Sequence, residues 1–97
     1  LALFYAKQAI ARGFDQQVSA QLRLFFYLPF EHAEELQEQA RSVTLITALG
    51  DAETTRYALE HQQIIQRFGR FPHRNAVLGR ENTVEEQQFL DEGGFAG

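Results

Sequence analysis

Gly50-Asp51 is the junction that most narrows what this 97-residue chain can fold into. A helical pattern runs up to Gly50 and another begins directly after Asp51. Glycine reaches the left-handed conformation that closes a helix, and an aspartate carboxylate accepts the first free N–H groups of the next one. A joint this short makes the two helices antiparallel neighbours in a hairpin. Similar punctuation recurs. Gly13 stops a first helix and Asp15 is the expected cap of a second. Gly69 closes the fourth, and Thr83-Val84-Glu85-Glu86 has the form of a capping box. The expected fold is all-α, with helices over 1–12, 16–28, 31–49 and 52–68, a short one over 84–91 and a flexible tail at 92–97.

Apolar spacing assigns the faces. In the second helix, Val18, Leu22, Phe25 and Phe26 form a stripe, and the run Leu24–Leu28 is read as core. Pro29 disfavours helical geometry at Leu28, so a break is expected there. The third helix should bury Ala33, Leu36, Ala40, Val43 and Thr47, and leave Glu34, Gln37, Glu38 and Arg41 in solvent. The fourth should bury Tyr57, Ala58, His61, Ile64, Ile65 and Phe68.

Composition excludes several classes of function. The net charge is −4, which argues against nucleic-acid binding by bulk electrostatics. Without cysteine there are no disulfides and no thiolate metal sites. No apolar run is long enough to cross a membrane, and the expected location is cytoplasmic. The sequence contains no methionine and starts within a helical pattern, so it is expected to be part of a longer protein.

Residues 67–80 concentrate positive charge. Arg67, Arg70, Arg74 and Arg80 fall there without one acidic residue, so the segment carries +4 and the remainder −8. Guanidinium forks suit carboxylates and phosphates, while Phe71 and Pro72 can stiffen the loop. The loop at 69–75 is therefore a candidate anion site, with Arg70 and Arg74 binding and His73 and Asn75 orienting. The alternative is structural, with the arginines fastening acidic residues or helix ends. A second candidate is Glu31-His32, with Glu34 and Glu35 beside it as natural partners for the loop arginines. His61, on the apolar face of the fourth helix, can meet His32 across the hairpin. Metal-ligand spacing is absent, so neither a metal nor a cofactor is assigned.

Three stretches carry a family resemblance. Phe26-Tyr27-Leu28-Pro29-Phe30-Glu31-His32, Arg67-Phe68-Gly69-Arg70-Phe71-Pro72-His73-Arg74-Asn75 and Thr83-Val84-Glu85-Glu86-Gln87-Gln88-Phe89-Leu90 resemble the bacterial domain-of-unknown-function family numbered 924. The resemblance implies a tetratricopeptide-repeat-like helical fold and a chain corresponding to the C-terminal half of a member. It also implies that the other half, with its own Phe-Pro-Arg-Asn stretch, shares in one site. It supplies no catalytic residues.

The leading expectation is a helical binding or scaffolding module rather than an enzyme. Its candidate site residues are Glu31, His32, His61, Arg67, Arg70, His73, Arg74 and Asn75. The expected partners are the other half or another protein, with a small anion as possible ligand. One alternative is a hydrolase or phosphoryl-handling enzyme using Glu31, His32 and His61 as acid–base or metal groups. The other is a purely structural interaction domain.

Overall fold

The computed structural model describes residues 2–94, apart from the side chains of residues 20 and 21. Leu1 and the last three residues of the expected tail lie outside the described residues. Five α-helices are present among them and no strand: α1 (Ala2–Ala11), α2 (Ala20–Glu31), α3 (Leu36–Thr47), α4 (Ala52–Phe68) and α5 (Val84–Asp91). Short 3-10 turns occupy Phe14–Gln17 and Pro72–Arg74.

From α1 to α4 sequential helices pack as neighbours, the α3–α4 hairpin is the most extensive pairing, and α5 packs on the 72–74 turn. Gly50 (φ 80°) makes its turn, and the Asp51 carboxylate accepts from the N–H groups of Glu53 and Thr54. At the far end of α4, Gly69 (φ 74°) sends the chain back so that Phe71 is fully buried against Ile64 and Ile65. A second cluster gathers around Tyr27, Ile46 and Ala58, with Ile10, Leu24, Phe26, Val43, Leu45 and Leu49 at its margin. The radius of gyration is 14.4 Å. A compact domain of this length comes to about 12.5 Å, so the helices form an extended slab of 45 × 28 × 19 Å.

The second and third helices depart from expectation at their ends. Ser19, not Asp15, caps α2. Asp15 is instead buried, where the Tyr27 hydroxyl and the Gln16 amide donate to its carboxylate. Burial opposes the Asp15 charge, yet these bonds hold its carboxyl below the ordinary value. Burial first, then the Asp15 bond, pushes the Tyr27 phenol up to about 12. Tyr27→Phe removes a hydrogen bond to a buried carboxylate and should cost roughly 2 kcal/mol. A urea midpoint unchanged within error would show that Asp15 finds another donor.

The helix also runs through Pro29 instead of breaking there. Only two helical residues follow the proline, so its missing N–H costs one bond near the end, while Phe30 beyond it becomes completely buried. Glu31 therefore ends α2 rather than starting α3. The buried Gln39 amide donates to the carbonyls of Glu31 and Ala33, closing the end of α2.

The α3 face is rotated from the expected one. Glu38, Gln39, Ser42 and Ile46 are buried, whereas Leu36, Ala40 and Thr47 are exposed. Glu38 is tolerated inside because Lys7 reaches it from α1 at 2.7 Å. Part of the aromatic run assigned to the core also faces outward, with Phe25 68% exposed.

Candidate functional site

The corner after α2, the middle of α4 and the turn at 71–74 meet around the ring of Phe71. Glu31 supplies the deepest acid there, at 5% exposure. Its Oε1 lies 3.7 Å from His61 Nδ1 and its Oε2 lies 3.6 Å from His32 Nε2. Both distances exceed the usual hydrogen-bond range. Burial pushes the Glu31 carboxyl up, and the charge of His61 only partly offsets it.

His61 is held in orientation by its own helix. Its Nδ1 stands 2.7 Å from the Tyr57 carbonyl, one turn earlier. A carbonyl can only accept, so Nδ1 carries the proton and Nε2 the lone pair of the neutral ring. The His61 ring meets the Phe71 edge at 5.5 Å and the His32 ring at 5.5 Å. His73 lies on another side of Phe71, at 5.7 Å between rings. Burial lowers the affinity of His32 for a proton, and repulsion from His61, Arg74 and His73 lowers it further. His73 shifts the same way, through burial and then Arg74 and His61.

Contacts divide the loop arginines by role. Arg70 turns away from the corner and forms a two-pronged bond with Glu86, at 2.8 and 2.7 Å, with a third bond to the Glu81 carbonyl. Arg80 pairs with both oxygens of Glu34 at 3.0 Å and also reaches the Phe71 carbonyl. Glu34 in turn accepts the Phe71 N–H at 2.6 Å. Although burial opposes it, the Arg80 bonds and that N–H hold the Glu34 carboxyl below its ordinary value. One carboxylate thus ties the loop to the α2–α3 corner.

Arg74 differs from both. Its guanidinium lies over the Phe71 ring at 4.6 Å and, among the described residues, it forms no ion pair. It lines an open groove of about 600 Å³ with Phe25, Leu28, Pro29, His32 and Glu34. Arg67 is elsewhere. It covers Phe68 at 4.6 Å and Phe89 at 5.6 Å, beside a separate cavity of about 270 Å³.

The fold therefore brings Glu31, His32, His61, His73 and Arg74 together, as the sequence led one to expect. It removes three expected members. Arg67 stacks on the α4–α5 aromatic contact, and Arg70 is committed to α5. Asn75 is buried at 1% exposure, donating to Asn82 in the joint before α5. Their type and position suited an anion site, but side chains nearby claim them first. Gln39 was not expected to contribute. Its buried amide holds the carbonyl of Glu31, and only the α2–α3 packing reveals it.

No curated protein matches the chain. Among solved structures, a protein of unknown function from Agrobacterium tumefaciens is 53% identical and superimposes with a TM-score of 0.90. The match covers 95% of this chain and 52% of that one, so the chain spans about half the length of its structural relative. A family model described as bacterial protein of unknown function (DUF924) matches residues 1–94. With the three sequence stretches that first suggested it, a match over nearly every residue and a shared fold at 53% identity, this chain belongs to the DUF924 family of bacterial proteins.

Proposed function

We propose that this chain is a cytoplasmic binding module for a small anion, a carboxylate or phosphate, seated in the groove beside Arg74. One observation carries this reading: Arg74 is the arginine of the 69–75 loop that contacts leave uncommitted to a carboxylate among the described residues. The Phe71 ring beneath it limits its rotamers, so less ordering entropy is lost when it grips a ligand. His32 lines the same groove and supplies a further polar contact. A hydrolytic or phosphoryl-handling enzyme is the second reading, favoured by the buried Glu31 carboxylate between two imidazoles.

Thermal melts of the full chain against phosphates, nucleotides and carboxylates test the proposal, with Arg74→Ala in parallel. A ligand at about a hundred times its Kd adds roughly 2.7 kcal/mol to the folded state. In a chain of this size that is a rise of roughly 10–20 °C. The rise should be selective and should disappear in Arg74→Ala, whose unliganded midpoint should move little. A flat panel, or a rise that Arg74→Ala retains, would remove Arg74 from the binding role.

A further inference from the structure

We infer that Glu31, His32 and His61 form a binding centre for a divalent transition metal of the zinc type, opening toward the groove. One ligand atom from each of the three lies within 4.8 Å of the other two. Two imidazole nitrogens and one carboxylate are a donor set that zinc uses where one coordination position stays open to water or substrate. With bonds near 2.1 Å, two donors on one tetrahedral ion stand about 3.4 Å apart. Glu31 Oε2 lies 3.6 Å from His32 Nε2, close to that spacing.

The Glu31 carboxylate is a second and independent observation. It is at 5% exposure and stands between the two imidazoles, 3.6 Å from His32 Nε2 and 3.7 Å from the His61 ring. A carboxylate at this depth with imidazoles on both sides is a ready anionic ligand for an ion held between the rings. The environment of His61 fits as well. The Tyr57 carbonyl on Nδ1 fixes the ring and leaves Nε2 as its basic nitrogen, the outer contact that orients metal-bound histidines. His32 has 48% of its side chain exposed on the groove side, where a small rotation can close the set.

Sequence spacing did not point to this centre, because His61 comes from α4 and the other two from the end of α2. The inference does not depend on Arg74 binding an anion, and it is read by metal rather than by ligand. Tag-free full chain, stripped with a chelator, is titrated with Zn2+ by calorimetry and with Co2+ by visible absorption. The expected result is one ion per chain, with the intense bands of low-coordinate Co2+. His32→Gln changes a half-exposed side chain and should leave the helical signal intact. It should weaken Zn2+ binding by at least roughly 100-fold, because even an outer-contact change costs 10–100-fold. Glu31→Gln, nearly isosteric, should do the same, while Arg67→Ala beside the separate cavity should bind as the parent does. Absence of saturable Zn2+ and Co2+ binding overturns the centre. So does binding that folded His32→Gln and Glu31→Gln both retain.

Discussion

Glu86→Ala should lower stability by roughly 3 kcal/mol, combining a lost helix cap with lost bonds to a charged group. For a chain of this size the midpoint of thermal unfolding falls by roughly 10–20 °C. Glu86 is 2% exposed and serves two elements. Its carboxylate accepts the Thr83 N–H while its own N–H donates to the Thr83 hydroxyl, which starts α5. The same carboxylate receives both prongs of Arg70. Eight residues are too few for an independent helix, so α5 persists through this pair and through Phe89 against Phe68, 5.1 Å between rings. The Arg70 bonds, with the Thr83 N–H, outweigh burial and hold the Glu86 carboxyl down at about 2. Its ordinary value in the unfolded chain is 4.5. The folded form therefore binds its proton less readily, and the stabilisation is fully present above 4.5. It is lost as pH falls from 4.5 toward 2. Glu86→Gln should flatten that part of the stability–pH curve. A Glu86→Ala melt within about 3 °C of the parent would mean that α5 contributes little to the cooperative unit.

The boundaries that could be read from sequence are those made by local chemistry. Asp51, Gly69 and the Thr83–Glu86 box each act within four residues, and α4 begins and ends, and α5 begins, where these residues place them. The α2–α3 corner was not legible in the same way. Pro29 states a local preference, but burial of Phe30 decides the outcome, and that burial depends on the rest of the fold. The rotated α3 face has a similar cause. Glu38 reads as solvent-facing, yet Lys7 receives it inside, and the neighbouring Gln39 is buried on the carbonyls of Glu31 and Ala33. Convergence of Glu31, His32 and His61 could be anticipated because an antiparallel hairpin brings the α2 end toward the middle of α4. The division of labour among Arg70, Arg74 and Arg80 could not. Three guanidinium groups in one loop are chemically alike, and only the positions of Glu86, Glu34 and Phe71 distinguish them.

Phe71→Ala should be the most damaging single change, costing about 3–5 kcal/mol for an emptied aromatic site. A domain of this size has a total stability of only about 5–15 kcal/mol. Phe71 is completely buried and closes the cluster of Ile64 and Ile65. Its N–H and carbonyl are both held, by Glu34 and Arg80 respectively, so its ring cannot move far to fill a void. The same ring is the surface against which His61, His73 and Arg74 are arranged. Phe71→Leu separates the two contributions. Leucine refills most of the volume, and the stability loss should shrink to roughly 1–2 kcal/mol. It has no aromatic face, so Arg74 loses its cation–π contact, worth about 0.5–2 kcal/mol. Denaturant midpoints of both variants measure the packing part, and anion titration of the folded Phe71→Leu chain measures the other. Anion affinity should fall by roughly 2- to 30-fold with helical content unchanged, the range that contact energy implies. Unaltered affinity in Phe71→Leu would show that the ring supports the core alone and that Arg74 is positioned by the backbone of its turn.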